Sequence, residues 1–213
     1  MSFHMPITKR RISHHFQYSI WMYLLLAGLA MFGWNLIYTT TRYQPPEPMR
    51  VEFYVQSSIA SEDALNALAD RIHEEVMPEM EMVTAQAVTI TDDYYGDMQM
   101  TVWISAAQGD IYMIAKDYFD RYAVGGAFLD LQPYVDNGSL DVTGIDLSPG
   151  MLALDDPDPG QEGKHLYGIP ADTLTGFYED QVDTQGMVLC ILYRNGNDEY
   201  SVKFLNYLLT HLR

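Results

Sequence analysis

Carboxylates form the densest group of side chains in this sequence that could do chemistry. Between residues 155 and 163 the chain reads DDPDPGQEG, which brings Asp155, Asp156, Asp158 and Glu162 close together. Loops rich in oxygen ligands can bind calcium. The full twelve-residue calcium-loop pattern is absent, and two prolines stiffen the segment. The sequence therefore favours a solvated acidic turn, with calcium binding as the alternative.

The sequence lacks the short motifs that mark several common enzyme classes: G-x-S-x-G, the phosphate-binding loop and H-E-x-x-H. Asp92 and Asp93 are adjacent and could do acid–base work, but nothing in the pattern places them in one pocket. The single cysteine, Cys190, lies in the apolar run from Met187 to Tyr193 and is expected to be a small core residue. We expect no enzymatic activity, no metal site and no cofactor.

Charges divide the chain into two parts. All 29 acidic residues lie at or after Glu47, whereas the charged residues before that point are Lys9, Arg10, Arg11 and Arg42. Eight basic residues follow Gln44, so the segment 44–213 has a net charge of −21. A nucleic-acid-binding protein needs a basic face to neutralise phosphates, so this class is excluded.

Residues 16–41 carry no charge and are long enough to cross a membrane as a helix. Aromatic residues, which favour the membrane interface, cluster at both ends: Phe16, Tyr18, Trp21 and Tyr23, then Trp34, Tyr38 and Tyr43. The basic residues in 1–15 predict a cytoplasmic N-terminus and an extracellular acidic part. A cleaved signal peptide is the alternative. An uncleaved anchor in the cell membrane is favoured because the apolar run continues well past the weak small-residue site at Gly28–Ala30.

The Pro-rich segment 42–50 is expected to be an extended spacer, and 51–213 an α/β domain with a mainly parallel, covered sheet. Strands are predicted at Val51–Val55, Glu81–Ile90, Asp110–Ala115, Leu166–Pro170 and Met187–Tyr193. Helices are predicted after the serines 57, 58 and 61 up to Val76, from Asp92 or Asp93 to about Ala107, from Asp117 to about Ala123, and over Tyr200–Leu212. Leu129–Val135 and Gly176–Gln185 are expected to be connectors.

Three sequence runs resemble the extracellular solute-binding proteins of ABC importers, in particular the sugar-binding group that includes maltose-binding protein. Residues 109–136, GDIYMIAKDYFDRYAVGGAFLDLQPYVD, are similar to the strand, short helix and "G-x-L-x-D-L-x-P-Y" of that family. Residues 166–170, LYGIP, are similar to its "YGIP" strand, and 203–209, KFLNYLL, to its late "FLxFL" helix. The resemblance covers most of 51–213 and implies one lobe of that fold.

Members of that family are commonly about twice as long and have two lobes that close on a ligand. Here 16 residues separate Pro170 from the strand at Met187, where the family's chain leaves for the second lobe. So short a connection cannot form a lobe, because domains begin at about 50 residues. We therefore expect a single lobe, with the other deleted or supplied by a partner.

The resemblance implies a ligand shelf at the carboxyl ends of the strands, where open α/β sheets place ligands. The residues expected there are Gln56, Ser57 and Ser58 after the first strand, and Lys116, Asp117 and Tyr118 after the third. Asp117 matches a family position that accepts sugar hydroxyls, although a role as helix cap is favoured. Tyr167 and Thr173 lie near the family's next contact strand, with packing favoured over ligand contact.

Two functions follow from these expectations. The first is a membrane-anchored, solute-binding-like module that touches a sugar or peptide and works with an ABC permease or another membrane protein. The second is an interaction protein that has lost ligand binding and uses its lobe-facing surface to hold a protein partner. Both place residues 16–41 in the membrane.

Overall fold

A computed structural model describes residues 9–43, 45–90, 94–157, 161–178, 182–193 and 196–213, with side chains from Ile20 onward. The chain divides into two compact units, residues 1–44 and residues 45–213. Each unit has its own architecture.

The first unit is one long helix, α1 (Lys9–Thr41). Its segment Ile20–Thr41 has 22 residues and is apolar. At about 1.5 Å per residue such a segment matches the roughly 30 Å hydrocarbon layer of a bilayer. The hydroxyl of Thr40 donates to Leu36 O (2.8 Å) and that of Thr41 to Ile37 O (2.6 Å), so these polar groups are satisfied within the helix. By length and composition this segment can cross a membrane, a property that signal sequences share.

The second unit contains a five-stranded sheet, a two-stranded ribbon and five helices among its described residues. The strands are β1 (Arg50–Gln56), β2 (Met82–Val88), β3 (Ile111–Ala115), β4 (Met151–Leu152), β5 (His165–Leu166), β6 (Ile169–Pro170) and β7 (Met187–Ile191). The helices are α2 (Glu62–Val76), α3 (Tyr94–Ser105), α4 (Lys116–Ala123), α5 (Gln132–Asp136) and α6 (Asp198–His211). Short 3₁₀ turns cover Glu47–Met49, Ser148–Gly150 and Thr175–Tyr178.

The large sheet has the order β2-β1-β3-β7-β6, and β4 pairs with β5 in the ribbon. Strand β1 is parallel to both β2 and β3, whereas β7 is antiparallel to β3 and β6. Four of the five strands therefore run in one direction, with β7 alone reversed. The prediction of an α/β fold with a mainly parallel sheet is confirmed.

Side chains alternate between two cores on the two faces of the sheet. Phe53 and Met113 belong to the core that also contains α2 and α6 residues, whereas Tyr54 and Tyr112 belong to the opposite core with α4 residues. This alternation follows from the two-residue period of a strand. Cys190 is fully buried in the second core, which confirms its predicted role, and burial raises the pKa of its thiol.

Helix α2 shows how local sequence determines an element. The backbone N–H of Ala64 donates to Ser61 Oγ (3.4 Å), which makes Ser61 the N-cap. Leu65, Leu68, Ala69 and Ile72 recur at helical spacing and are buried. The helix ends before Pro78, as predicted.

The Pro-rich segment is not extended throughout. Glu47–Met49 form one 3₁₀ turn, and Arg50 already begins β1. The amide of Asn197 donates to Glu47 O (2.7 Å) and to Arg50 O (2.5 Å), so the end of this segment is bonded to a distant part of the same unit. Tertiary hydrogen bonds therefore overrule the extended preference of the prolines. Where the domain boundary lies stays a prediction.

The strand expected at Leu166–Pro170 is split between two sheets. β5 pairs with β4, whereas β6 pairs with β7. The change of sheet occurs around Gly168, where there is no space for a side chain. A Cβ on Gly168 would lie 2.4 Å from Val188 Cγ1, and a Cβ on the neighbouring Gly150 would lie 1.8 Å from Gly168 O.

Two further predictions need correction. Leu129–Val135 is not only a connector, because Gln132 begins the short helix α5, which has Pro133 in its first turn. Helix α3 ends at Ser105, slightly earlier than expected. Its proposed caps, Asp92 and Asp93, lie outside the described residues.

The connection between β6 and β7 lies against the rest of the second unit. Phe177 and Val182 are buried in the core. The N–H of Ala171 donates to Met187 O (2.9 Å), and the N–H of Gly176 donates to Leu212 O (2.8 Å). The described part of this connection is therefore a packed loop.

Candidate functional site

One edge of the large sheet collects the carboxyl ends of β1, β2, β3 and β6, together with the start of the reversed strand β7. Seven of the eight predicted ligand residues lie at the end of one of these strands or within three residues after it: Gln56, Ser57, Ser58, Lys116, Asp117, Tyr118 and Thr173. Tyr167 precedes β6 and does not lie at this edge. Ligand binding by any of the eight stays a prediction.

An open groove of about 400 Å³ lies at this edge. Its walls are formed by residues from three strand ends and from the loop before β7: Gln56, Ser57, Ser58, Ile59, Thr89, Ile90, Asp183, Gln185 and Met187. Three of the predicted residues therefore share one groove.

Gln56 connects the strand ends. Its Oε1 accepts from the backbone N–H of Ala115 (2.8 Å), and its Nε2 approaches Ile90 O at 3.5 Å. The first of these contacts holds the side-chain amide in place. Gln56 thus shapes the floor of the groove, and less of its hydrogen-bonding capacity is left for a ligand.

Ser57 organises the turn that follows β1. Its Oγ accepts from the N–H groups of Ile59 (3.3 Å) and Ala60 (3.1 Å), and its own N–H donates to Val88 O (3.0 Å). A hydroxyl that accepts still has its hydrogen to donate. Ser58 is exposed, and Ile59 is 66% exposed beside it. The turn therefore presents hydroxyls next to an apolar side chain.

The three predicted residues of α4 have different environments. Lys116 is paired with Asp120 one turn later, at 2.6 Å from Nζ to Oδ1. Asp117 is exposed, and its carboxylate makes no hydrogen bond within the described part of the chain. Tyr118 is only 4% exposed and is packed in the core, with the Arg121 guanidinium 5.4 Å from its ring centre.

Asp117 is not the N-cap of α4, because the helix begins at Lys116 and Ala115 occupies the cap position. This corrects the capping interpretation that the sequence favoured. A carboxylate in the first turn still interacts favourably with the helix dipole. None of the three α4 residues belongs to the groove wall. Asp117 is therefore a free carboxylate at the same edge, outside the groove itself.

Thr173 lies in the turn after β6, and its hydroxyl is buried without a hydrogen-bond partner among the described residues. Its neighbour Asp172 accepts from the N–H of Gly186 (2.9 Å), which closes the loop across the edge. Asp183 Oδ1 accepts from the N–H of Gln185 (3.0 Å). These bonds position the loop that supplies one wall of the groove.

Sequence reasoning missed six groove residues: Ile59, Thr89, Ile90, Asp183, Gln185 and Met187. Thr89 and Ile90 follow β2, which is parallel to β1, so the rule that was applied to β1 would have found them. Asp183 and Gln185 precede β7, whose reversed direction the sequence did not reveal.

The acidic loop does not form a metal site as far as the structure describes it. Asp155 and Asp156 are exposed, and the described residues contain no cluster of three His, Cys, Asp or Glu side chains that could hold a metal ion. Asp158 lies outside the described residues.

The chain matches no protein-family profile and no curated protein. Among solved structures it is similar to an extracellular solute-binding protein family 1 member from Alicyclobacillus acidocaldarius, with 20% identity over 60% of this chain and a TM-score of 0.39. An ABC substrate-binding protein of Listeria monocytogenes in complex with cycloalternan shares 20% identity over 56% of the chain, with a TM-score of 0.35. The mannobiose-bound protein CpMnBP1 shares 13% identity over 65%, with a TM-score of 0.40.

This chain covers 28%, 28% and 35% of those three proteins, respectively. The chain therefore spans about a third or less of their length. These TM-scores are all below 0.5. The α/β fold class is therefore taken from the chain's own sheet order and helices.

Proposed function

We propose that this chain is a membrane-tethered, solute-binding-like module outside the cell membrane, whose groove takes a small carbohydrate or related solute. The observation that carries the proposal is the groove of about 400 Å³ at the carboxyl ends of β1 and β2, with Gln56, Ser57 and Ser58 in its wall. Open α/β sheets bind ligands at this edge. The sequence motifs of 109–136 support the solute class, and the apolar segment Ile20–Thr41 supports the tether.

The groove has the chemistry that a sugar needs. The Ser57 hydroxyl can donate, and the exposed Ser58 hydroxyl can donate and accept. Ile59, Ile90 and Met187 supply apolar surface for the C–H faces of a ring. Asp117, at the same edge, can accept from a hydroxyl of a longer ligand that extends beyond the groove.

An open groove leaves much of a ligand in water, so affinity is expected to be weak, of the order of millimolar. A second surface that closes over the ligand would raise the affinity. An ABC permease or another membrane protein could supply that surface, which would make this chain one half of a shared site.

The proposal is tested by calorimetric titration of the full chain in nanodiscs. The titrants are neutral disaccharides, including maltose and mannobiose. We expect saturable binding that Ser58→Trp weakens at least about tenfold, because the added ring fills the groove. Ser139→Trp is the matched control, since Ser139 is also exposed but lies after α5. Asp117→Asn shows whether that carboxylate takes part.

Absence of binding to every sugar and short peptide tested, or equal binding by the Ser58→Trp variant, would exclude this groove as a solute site. The interaction-protein hypothesis would then stand instead, because the same exposed edge, with Ile59 uncovered, would be left for a protein partner.

A further inference from the structure

A second cavity, of about 450 Å³, lies near the carboxyl end of β7, whereas the groove described above lies near its start. The cavity is walled by three groups of residues: Ile104; residues 125–130; and Leu154, Asp156, Gln161, Tyr167, Leu192 and Tyr193. It shares no wall residue with the groove, so its role is independent of the proposed function.

Tyr167 is the most unusual residue of this cavity wall. The side chain is 1% exposed, and its hydroxyl has no hydrogen-bond partner among the described residues. A buried hydroxyl without a partner costs about 1–3 kcal/mol. Burial and then the charge of Asp130 raise the pKa of Tyr167, so the phenol stays protonated at neutral pH. Its oxygen can accept as well as donate.

Carboxylate and amide oxygens surround the polar part of the cavity. The Asp130 side chain is 10% exposed, and its Oδ2 lies 2.7 Å from His165 Nδ1 while its Oδ1 accepts from the N–H of Gln132 (2.9 Å). Asp156 and Gln161 add further oxygens to the wall, and none of the described wall residues is Lys or Arg. The cavity therefore favours a positively charged group.

Apart from Tyr193, the rest of the wall is apolar or has no side chain. Phe128 and Leu192 are buried, and Ile104 and Leu154 pack at the edge of the same core. Gly125 and Gly126 expose backbone, and a Cβ on Gly126 would meet no atom within 4 Å. An apolar group of the size of one ring therefore has both space and contact surface beside the polar part.

We propose that this cavity binds a small organic amine, with the ammonium group donating to the Asp130 carboxylate and the Tyr167 phenol oxygen. The apolar body of the amine packs against Phe128 and Leu192. The ligand thereby supplies a partner to the Tyr167 hydroxyl, which the protein itself leaves without one.

The test uses two probes that differ only in the charged group, benzylamine and benzyl alcohol, with the full ¹⁵N-labelled chain in nanodiscs. We expect benzylamine to shift the amide signals of Gly125 and Gly126, with a Kd at least about tenfold lower than that of benzyl alcohol, since a charge-assisted hydrogen bond is lost in the alcohol. Signals of Ser57 and Ile59 at the groove should not move.

Tyr167→Phe removes only the hydroxyl and should weaken benzylamine binding at least about fivefold without lowering the melting temperature. Asp130→Asn should abolish the preference for the amine over the alcohol. Tyr207→Phe is the matched control, because the Tyr207 hydroxyl bonds to Glu75 (3.1 Å) and is not in the cavity wall. Equal affinity for both probes, shifts elsewhere only, or unchanged binding by Tyr167→Phe would overturn the proposal.

Discussion

Asp110 and Asn197 are buried polar residues that join the segment after the apolar helix to the sheet. Asp110 is 5% exposed and accepts from the N–H of Glu52 (2.7 Å) and from the amide of Asn197 (3.2 Å). Burial raises the pKa of Asp110 from its ordinary 3.8 to about 6, more than its hydrogen bonds lower it. The native state thus holds this proton more tightly than the unfolded chain does.

Protonation of Asp110 is therefore expected to stabilise the fold below about pH 4, and this contribution is lost as the pH rises towards 6. The pKa difference corresponds to about 3 kcal/mol in the free energy of unfolding. The Asp110→Asn variant keeps an amide oxygen that can accept from Glu52. Its free energy of unfolding should fall less between pH 4.5 and pH 7 than that of the unmodified chain. Urea unfolding followed by circular dichroism measures both slopes.

The control for this measurement is Asp70→Asn, because Asp70 is an exposed carboxylate on α2. Its pH dependence should parallel that of the unmodified chain. If the free energy of unfolding of Asp110→Asn showed the same pH dependence as that of the unmodified chain, Asp110 would not be the group responsible for it.

At the scale of elements, the ribbon of β4 and β5 meets the large sheet through two glycines. The N–H of Tyr167 donates to Gly150 O (3.0 Å), and the backbone of Gly168 lies directly against Gly150. There is no room for a side chain, because the two nearest atoms that a Cβ would meet are backbone atoms of Gly168, which cannot rotate away. Close backbone contact therefore aligns the ribbon with β6.

Gly150→Ala should accordingly destabilise the second unit by about 2 kcal/mol or more, since overpacking forces the backbone apart. Gly125→Ala is the matched control, because its Cβ would lie 3.6 Å from Tyr122 O, an ordinary contact. Chemical unfolding of both variants compares the costs. Similar stability of the two variants would mean that the ribbon can move away from β6 without cost.

At the scale of the whole molecule, the basic residues before the apolar segment and the acidic residues after it predict the orientation of the chain in a membrane. Cys190 is fully buried, so it should react slowly with thiol reagents and leave a low background for labelling. The chain is thus suited to site-directed labelling from outside the cell.

A membrane-impermeant maleimide added to intact cells should label Ser139→Cys and not Ser2→Cys, because the second unit is proposed to lie outside. After the cells are opened, both variants should react. Labelling of Ser2→Cys alone in intact cells would reverse the orientation, and release of a shortened chain into the medium would show that the apolar segment is a cleaved signal peptide.

Local patterns in the sequence determined most of the helices and strands, although not α5 or β4. Alternating apolar residues marked β1, an unbroken apolar run marked β7, and serine caps with helical spacing marked α2; these signals act within one turn or a few residues. The charge asymmetry and the apolar segment 16–41 could likewise be read without a structure.

Only the tertiary structure decided how these elements combine at the site. Whether β7 runs with or against β3 depends on long-range pairing, and its reversed direction brought Asp183 and Gln185 to the groove. The same packing buried Tyr118 and placed Tyr167 in the wall of the second cavity. The direction of a side chain near the end of a strand or helix depends on the elements that pack against it. Motif spacing specified which residues are near a strand end, and the packing of both sheet faces decided which of them line the groove.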